Sequence, residues 1–400
     1  KFKTFNKQEH DSDVPPRKIQ RIVEDKNGYI WVKTIDRKLY VFNKVTECFH
    51  AVYDDMKNYS ENIQVIKLQN TAEGDVLLLT KDKNLLLAGV DEKGQVTIKI
   101  LFDSRDEINK HDYTLKHHVL CETEEYISWI GTDYKVSAVH KGAELASRPA
   151  DFITSKINSG DKDSFTSFFE DGRKVWVGDR AGIFYSIDVR TGLVNRYVLS
   201  EIKGAISNLL VTPAGYVYLS VAGQGTYEYD LAERRLQKIN TEMNDAMVTH
   251  AFIDQYDKIW FHENEKALIY YDPLNHTAKR FPFTMFGKIT TLYSEDAGER
   301  GLFFLSPAGE AWLFDREHAE MVYINKLKQL SNDRANQQFY HLMLDNDGVL
   351  WLSSADEGVY CMNFPKKQFN LLSLSPQSAG QENYTIGVRA LFQIGRASCR

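Results

Sequence analysis

The sequence predicts an all-β fold, a β-propeller of four-stranded blades with seven or eight blades, and three observations predict it. The 400-residue chain is rich in the aromatic residues that favour strands, with 21 Tyr and 22 Phe against only 9 Pro. One motif recurs along the chain, in which an Asp and then a Gly precede a Trp that lies between apolar residues. The positions equivalent to that Trp are 42 to 51 residues apart, a spacing typical of four-stranded propeller blades.

Eight repeats carry this motif to different degrees. Five copies keep the Trp of the motif, and these residues are Trp31, Trp129, Trp176, Trp260 and Trp351. In the three weaker copies the same position is taken by Leu78, Tyr218 and Phe304. The two shortest steps, each of 42 residues, run from Trp176 to Tyr218 and from Tyr218 to Trp260, and the longest runs from Leu78 to Trp129, so the period persists where the motif has degenerated.

The first repeat predicts the four strands of a blade, which we letter a to d in chain order. We predict strand a over Gln20–Glu24, strand b over Tyr29–Thr34, strand c over Leu39–Phe42 and strand d over Glu47–Val52. In strand b both alternating sets of side chains are apolar, which indicates a strand covered on both faces by neighbouring blades. Strand c ends in Asp or Asn in six of the repeats, because these residues favour turns.

The motif residues have structural roles in this prediction. The Asp caps the turn between strands a and b through its own backbone, and Gly28, Gly172 and Gly348 supply a position with positive φ. The five Trp residues occupy one fixed place in strand b. We therefore expect them in the core between blades rather than stacked on a bound sugar.

Composition and motifs exclude several functional classes. The net charge of −6 gives no basic field for nucleic acid, and the longest apolar stretches, such as Leu85–Ala88, are far shorter than the roughly 20 residues that span a bilayer. The four cysteines, at positions 48, 121, 361 and 399, have no metal-ligand spacing. No P-loop, nucleophile elbow or His-rich cluster is present, so we predict no catalytic residue, metal site or cofactor.

The repeats also set the expected domain limits. We predict that residues 1–373 form the propeller, with its start truncated, and that residues 374–393 form a linker and the first strand of a following propeller. Residues 394–400, Ile-Gly-Arg-Ala-Ser-Cys-Arg, fit nothing before them and are expected to be a non-native tail.

The motif resembles a known repeat family. Asp171, Gly172, Trp176, Gly178 and Gly182 match best the two-component regulator propeller repeats found in sensor regions of hybrid two-component systems, especially of gut Bacteroidetes. The resemblance covers about residues 1 to 393, and it departs from the pattern where Lys33 replaces the Gly that follows Trp31 by two positions.

The resemblance implies a function. Such a chain is the periplasmic sensor region of an inner-membrane hybrid histidine kinase, recognises an oligosaccharide or another small ligand, and signals through rearrangement of a homodimer. The membrane helix and the kinase of the phosphorelay would lie downstream, so this fragment itself is expected not to be an enzyme. Two alternatives stay open, a propeller glycosidase or lyase and a non-catalytic scaffold for protein interactions.

Candidate ligand contacts lie in the turns between strands b and c, which share one face of the ring with the loops between blades. Long loops on a rigid scaffold are where binding residues concentrate. Their polar and aromatic side chains suit hydrogen bonds or stacking with a sugar. We predict six contacts in these turns: Arg37, Tyr134, Arg180, Gln224, His262 and Asp356.

Overall fold

The repeats form an eight-bladed β-propeller, which confirms the predicted fold class and settles the number of blades. A computed structural model describes residues 2–5, 18–57, 59, 64–81, 84–102, 115–131, 136–142, 150–152, 165–239, 248–286, 292–296, 301–326, 338–354 and 358–363. These residues contain eight antiparallel sheets of four strands each. The predicted segments 374–393 and 394–400 lie outside the described residues.

The strands follow the repeats in order. Blade 1 contains β2 (Ile19–Glu24), β3 (Ile30–Thr34), β4 (Leu39–Asn43) and β5 (Cys48–Ala51), and blade 2 contains β6 (Val65–Asn70), β7 (Val76–Thr80), β8 (Leu85–Val90) and β9 (Val96–Phe102). Blade 3 contains β10 (Leu115–Glu122), β11 (Tyr126–Gly131), β12 (Val136–His140) and β13 (Ala150–Phe152). Blade 4 contains β14 (Phe165–Glu170), β15 (Lys174–Asp179), β16 (Ile183–Asp188) and β17 (Leu193–Val198). The strands of blade 1 agree with those predicted to within one residue at each end.

Blades 5 to 8 continue the pattern. Blade 5 contains β18 (Ile206–Val211), β19 (Tyr216–Val221), β20 (Gly225–Asp230) and β21 (Arg235–Lys238), and blade 6 contains β22 (Val248–Ile253), β23 (Ile259–Glu263), β24 (Ala267–Asp272) and β25 (Thr277–Pro282). Blade 7 contains β26 (Tyr293–Asp296), β27 (Leu302–Leu305), β28 (Glu310–Asp315) and β29 (Glu320–Lys326). Blade 8 contains β30 (Phe339–Leu344), β31 (Val349–Ser354), β32 (Gly358–Asn363) and β1 (Phe2–Phe5). A helical turn, α1 (Tyr53–Met56), and a 3-10 turn (Phe283–Phe286) lie between blades.

Blade 8 is closed by the beginning of the chain. β1 pairs antiparallel with β32, and Phe2 lies opposite Met362 while Phe5 lies opposite Val359. The fourth strand of the last blade therefore precedes blade 1 in the sequence. No repeat motif marks residues 2–5, so this strand was not predicted. Backbone pairing between the two distant segments closes the ring without leaving a three-stranded last blade.

Strand a is the innermost strand of every blade. β2 lies next to both β6 and β30, and β18 lies next to both β14 and β22, so the first strands of neighbouring blades face one another around the axis. They therefore line the central channel of the ring. The core lies outside this channel, in layers between blades, and its largest fully buried side chains include Trp31 and Trp260.

The motif Asp binds the motif Trp as well as its own turn. In blade 1, Oδ1 of Asp25 accepts hydrogen bonds from the backbone N–H groups of Asn27 and Tyr29, both at 3.0 Å. Its Oδ2 accepts the indole Nε1–H of Trp31 at 2.8 Å and the backbone N–H of Val90, in blade 2, at 3.1 Å. The indole bond recurs in three further pairs, Trp176 with Asp171, Trp260 with Asp254, and Trp351 with Asp345.

Ionic contacts join neighbouring blades on the face that carries the turns between strands a and b. Glu24, at the end of β2, accepts the backbone N–H of Asn346 in blade 8 through Oε2 at 2.7 Å. Lys44, which follows strand c of blade 1, contacts Glu24 at 2.8 Å and Asp345 of blade 8 at 3.3 Å. We call this arrangement of a strand-a acid, a cation after strand c and the preceding blade's turn an acid latch.

The acid latch occurs three times in the described residues. Its other two copies join Glu122 and Lys141 of blade 3 to the turn at Ala72 of blade 2, and Asp296 and Arg316 of blade 7 to the turn at Asp254 and Gln255 of blade 6. Because each latch pairs its cation with at least one carboxylate, these charges are compensated within the protein.

Blade 4 has the acid without the cation. Strand a ends in Glu170, but the residue after strand c is Val189, so no latch cation is available. The Oε2 atom of Glu170 is buried and has no hydrogen-bond partner. Burial, reinforced by the neighbouring charges of Glu122 and Asp171, raises the pKa of Glu170 to about 7.

Replacing Glu170 by Gln is expected to change how stability depends on pH. Because the folded-state pKa of Glu170 lies above the ordinary value of 4.5, folding favours its protonated form, and stability is lost as the pH rises through about 7. Glu170→Gln should remove that loss, which urea unfolding at several pH values would measure. The matched variant Glu122→Gln should instead be destabilising, because it replaces the carboxylate 2.5 Å from the buried Lys141 by a neutral amide. An unchanged pH profile in Glu170→Gln would contradict the assignment.

Candidate ligand-binding channel

A β-bulge recurs near the start of the inner strands. In six blades the pairing of strand a with strand b is irregular just after the first residue of strand a. At this point two consecutive residues of strand a lie opposite one residue of strand b. Bulges re-aim side chains and are frequent beside functional sites. The bulge pairs are Gln20–Arg21, Ile66–Lys67, Thr166–Ser167, Ser207–Asn208, Thr249–His250 and Tyr340–His341.

Two cavities lie along these inner strands. The larger, of about 530 Å³, is formed by strands a of blades 1, 2, 7 and 8, and Arg21, Gln69, Asn70, Glu295 and His341 are among its lining residues. The smaller, of about 330 Å³, is formed by strands a of blades 4, 5 and 6 and includes three bulge pairs in whole or in part. The bulges thus place polar side chains in the channel.

Some bulge residues bind the neighbouring inner strand. The hydroxyl of Thr166 donates to the backbone oxygen of Ile206 at 2.7 Å, and the side-chain amide of Asn208 donates to the backbone oxygen of Val248 at 2.6 Å. Each bond joins one blade to the next across the channel-side edge of the strands. Because these two side chains bond backbone carbonyls within the protein, their role is structural.

Basic side chains meet where blades 1 and 2 adjoin. Arg21 and Lys67 hold the same bulge position in β2 and β6, and Lys33 lies opposite Arg21 in strand b. Burial, together with the positive charge of Arg21, lowers the pKa of Lys33 and that of Lys67 to about 8. The ammonium group of Lys33 donates a hydrogen bond to the side-chain oxygen of Gln20. In the part of the chain that the structure describes, none of the three basic groups has a carboxylate within ion-pair distance.

Glu295 and His341 also line the larger cavity. Glu295 Oε1 accepts the backbone N–H of Leu344 at 3.1 Å, and burial raises the pKa of this carboxyl to about 7. His341 has a buried Nδ1 without a hydrogen-bond partner. Burial and the charge of Arg21 lower the pKa of His341 to about 3, so its imidazole is neutral near neutral pH and can donate or accept hydrogen bonds.

Three of the predicted ligand contacts lie in b–c turns, as predicted. Arg37 and Arg180 are exposed, and Arg37 has a φ of 67° that the turn requires. Gln224 uses its side-chain amide within the protein, since Oε1 accepts the backbone N–H of Lys203 at 2.7 Å and Nε2 donates to the backbone oxygen of Glu201 at 3.1 Å. It therefore fastens its turn to the loop that precedes strand a.

The predicted location of His262 in a turn is wrong, because His262 lies within β23. It stands opposite His250 at the bulge of blade 6, and its Nδ1 lies 2.8 Å from the hydroxyl of Thr249. Its Nε2 is buried without a partner, and burial lowers its pKa to about 4. Of the remaining predicted contacts, Tyr134 and Asp356 lie outside the described residues.

One cluster of acidic side chains has the spacing of metal ligands among the described residues. Carboxylate oxygens of Glu24, Asp345 and Asp347 lie within 4.8 Å of one another. The ammonium group of Lys44 contacts all three, at 2.8, 3.3 and 2.5 Å. Lys44 therefore takes the place that a cation would need, and the cluster belongs to the acid latch of blades 8 and 1.

Comparisons with known proteins identify the fold. No protein-family pattern and no curated protein sequence matches the chain. BamB from Moraxella catarrhalis matches with a TM-score of 0.53 and 10% identity over 92% of this chain and 99% of its own. Virginiamycin B lyase from Staphylococcus aureus gives a TM-score of 0.45 and 11% identity over 90% of this chain and 98% of its own.

The extracellular domain of a hybrid two-component system from B. thetaiotaomicron also matches, with a TM-score of 0.48 and 11% identity over 91% of this chain. The present chain spans 39% of the length of that protein. Within the described residues, no helix has the length and apolar character needed to cross a membrane. Of these three structures BamB alone has a TM-score above 0.5, and at 10% identity its likeness concerns the fold and not the function.

Proposed function

We propose that the chain is the ligand-binding, extracytoplasmic sensor region of a hybrid two-component histidine kinase, and that it binds an oligosaccharide in the central channel. The resemblance of its repeats to regulator propeller repeats supports the sensor role. The observation that carries the binding site is the 530 Å³ cavity, into which four blades direct polar side chains. This volume is within the range of about 300 to 1,000 Å³ that is usual for ligand sites.

The cavity offers the hydrogen-bonding groups that a sugar requires. Arg21 supplies donors, Gln69 supplies both a donor and an acceptor, and the neutral His341 can do either. These groups come from inner strands of three blades, which hold them more rigidly than loops would. Sugar hydroxyls would bond these groups across the blades, with specificity set by the fixed positions of the strands.

Signalling would follow from differential binding. A ligand that favours one arrangement of two receptor chains in a homodimer shifts the population toward that arrangement, and downstream parts of the receptor read the difference. The propeller needs no chemistry of its own for this role. The proposed location is periplasmic, with membrane attachment supplied outside this region.

An enzymatic role is the second candidate, and the protonation of Glu295 favours it. A carboxyl with a pKa raised to about 7 is the kind of group that serves as general acid in glycoside hydrolysis. A second carboxylate is also needed. The other acids lining this cavity are committed elsewhere, because Glu24 is held by Lys44 and Asp25 by Trp31. We therefore favour binding without turnover.

Calorimetric titration of the purified chain with a panel of oligosaccharides, followed by chromatography of the sugars, tests the proposal. We expect binding of at least one oligosaccharide without release of product. Arg21→Gln should weaken that binding by about tenfold or more, the loss typical of a hydrogen bond to a charged group. Arg180→Gln, on the rim, is the matched control and should leave affinity unchanged.

The other outcomes separate the alternatives. Release of shortened sugars would establish the enzyme, and failure of the whole panel to bind would favour a scaffold for protein interactions. Weaker binding in Arg180→Gln with unchanged binding in Arg21→Gln would place the site on the rim, where the sequence predicted it.

A further inference from the structure

We propose that Arg21, Lys33 and Lys67 form an anion subsite in the channel, which binds an acidic group of the ligand, a carboxylate or a sulfate ester. This inference deepens the proposed function and rests on it for the saccharide nature of the ligand. The anion subsite itself depends only on the three basic side chains and on the cavity beside them.

Fold geometry brings the three cations together. Lys67 holds in β6 the bulge position that Arg21 holds in β2, and these two inner strands are neighbours. Lys33 lies directly opposite Arg21 in the pairing of β2 with β3. The backbone thus places Arg21 and Lys67 on adjacent inner strands and Lys33 beside Arg21 in the next strand outward, and the charge of Arg21 acts on both lysines. Arg21 also lines the 530 Å³ cavity, so the subsite adjoins space for a ligand.

Elsewhere the protein neutralises its buried cations. Lys44, Lys141 and Arg316 each contact at least one carboxylate within 3.0 Å in the acid latches. Lys33 is 5% exposed, as buried as these, yet it has no carboxylate partner in the described part of the chain. A buried charge without a counter-charge costs free energy, because the solvation it has lost is not replaced.

The acid that acts on this cluster is a weak counter-charge. Glu295 attracts Arg21 electrostatically. However, burial raises the pKa of the Glu295 carboxyl to about 7, so this carboxyl is only partly ionised near neutral pH. The cluster therefore keeps a net positive charge that a bound anion would compensate. Arg and Lys side chains suit carboxylate and sulfate oxygens, Arg through its planar fork and Lys as a point charge.

Thermal unfolding in sodium sulfate and in sodium chloride at equal ionic strength tests the subsite with inorganic sulfate as the probe. A ligand that binds only the folded state raises Tm. We expect a larger Tm in sulfate for the wild type, and the loss of most of that difference in Arg21→Gln and in Lys67→Gln. The exposed Arg235→Gln and Lys93→Gln are matched controls and should keep it.

A second measurement needs no ligand. In chloride alone, Lys67→Met should raise Tm, because it removes a half-buried charge that has no carboxylate partner among the described residues while keeping a side chain of similar length. A fall in Tm for Lys67→Met, or a sulfate effect equal in the wild type and in both channel variants, would overturn the anion subsite.

Titration with saccharides separates this inference from the proposed function. We expect a trigalacturonate or a sulfated heparin disaccharide to bind at least about tenfold more tightly than neutral maltotriose, with the difference lost in Arg21→Gln. Which acidic sugar binds identifies carboxylate or sulfate as the preferred group. Equal binding of neutral and acidic sugars would refute the anion subsite while the sensor proposal stands. A sulfate effect that needs Arg21, without binding of any sugar, would do the reverse.

Discussion

Replacing Asp25 by Asn is expected to lower the free energy of unfolding by about 3 kcal/mol, although the two side chains have the same shape. Asp25 is 1% exposed and accepts four hydrogen bonds, two at each carboxylate oxygen. An Asn amide keeps one oxygen and replaces the other by an NH₂ group. That group would face the indole N–H of Trp31 and the backbone N–H of Val90, leaving two buried donors without an acceptor.

Asp91→Asn is the control for this prediction. Asp91 caps the turn between strands c and d of blade 2, and its Oδ1 accepts the backbone N–H groups of Lys93 and Gln95 at 2.9 and 2.8 Å. An Asn preserves both bonds, so we expect a change of only a few tenths of a kcal/mol. Urea unfolding of both variants measures the difference. Equal effects would mean that Asp25 acts only as a turn cap, as its position in the motif suggests.

The fold could be predicted because each blade repeats a local pattern. A turn Asp, a Gly with positive φ and a buried Trp lie within ten residues of one another. Asp25, Gly28 and Trp31 therefore predict strand b without knowledge of any long-range contact. Non-local contacts leave no such mark. The pairing of β1 with β32 joins residues more than 350 positions apart, and nothing in Phe2–Phe5 indicates its partner.

The channel was missed because its residues look like irregular parts of strands. A bulge breaks the alternation of apolar and polar residues, as in Ile19-Gln20-Arg21-Ile22, where two polar residues are adjacent. The signal was nevertheless present. At Gly178 a Cβ atom would lie 2.8 Å from Ile206, so the motif Gly keeps strand b narrow opposite the bulge. Lys33 and His262 stand at the equivalent position of their own blades.

Departures from the motif therefore carry information about function. Gly178 and Ser220 hold this position beside bulges in which Thr166 and Asn208 make structural hydrogen bonds, whereas Lys33 adds a charge beside Arg21. In the sequence alone, Lys33 is only a degenerate position of its repeat. Comparison of the equivalent positions of all eight blades, rather than a search for the motif, would have directed attention from the rim to the channel.

Deletion of residues 1–5 is expected to have the other large effect, since it removes β1 and leaves β32 as an unpaired edge. Four residue pairs of backbone ladder are lost, which at roughly 1 kcal/mol per hydrogen bond lowers the free energy of unfolding by about 4 kcal/mol. An unpaired edge strand is also a template for pairing between chains. Calorimetry should show a lower Tm, and size-exclusion chromatography should show self-association that depends on concentration.

A chain without residues 394–400 controls for truncation itself and should unfold as the parent does, as expected of a non-native tail. The two truncations differ in one physical respect, because only the first removes a strand that closes the ring. A propeller stabilised by contacts between successive blades alone would tolerate both equally. An unchanged Tm after deletion of residues 1–5 would therefore show that the packing of blade 8 against blade 1, through β30 and β2, suffices to close the ring.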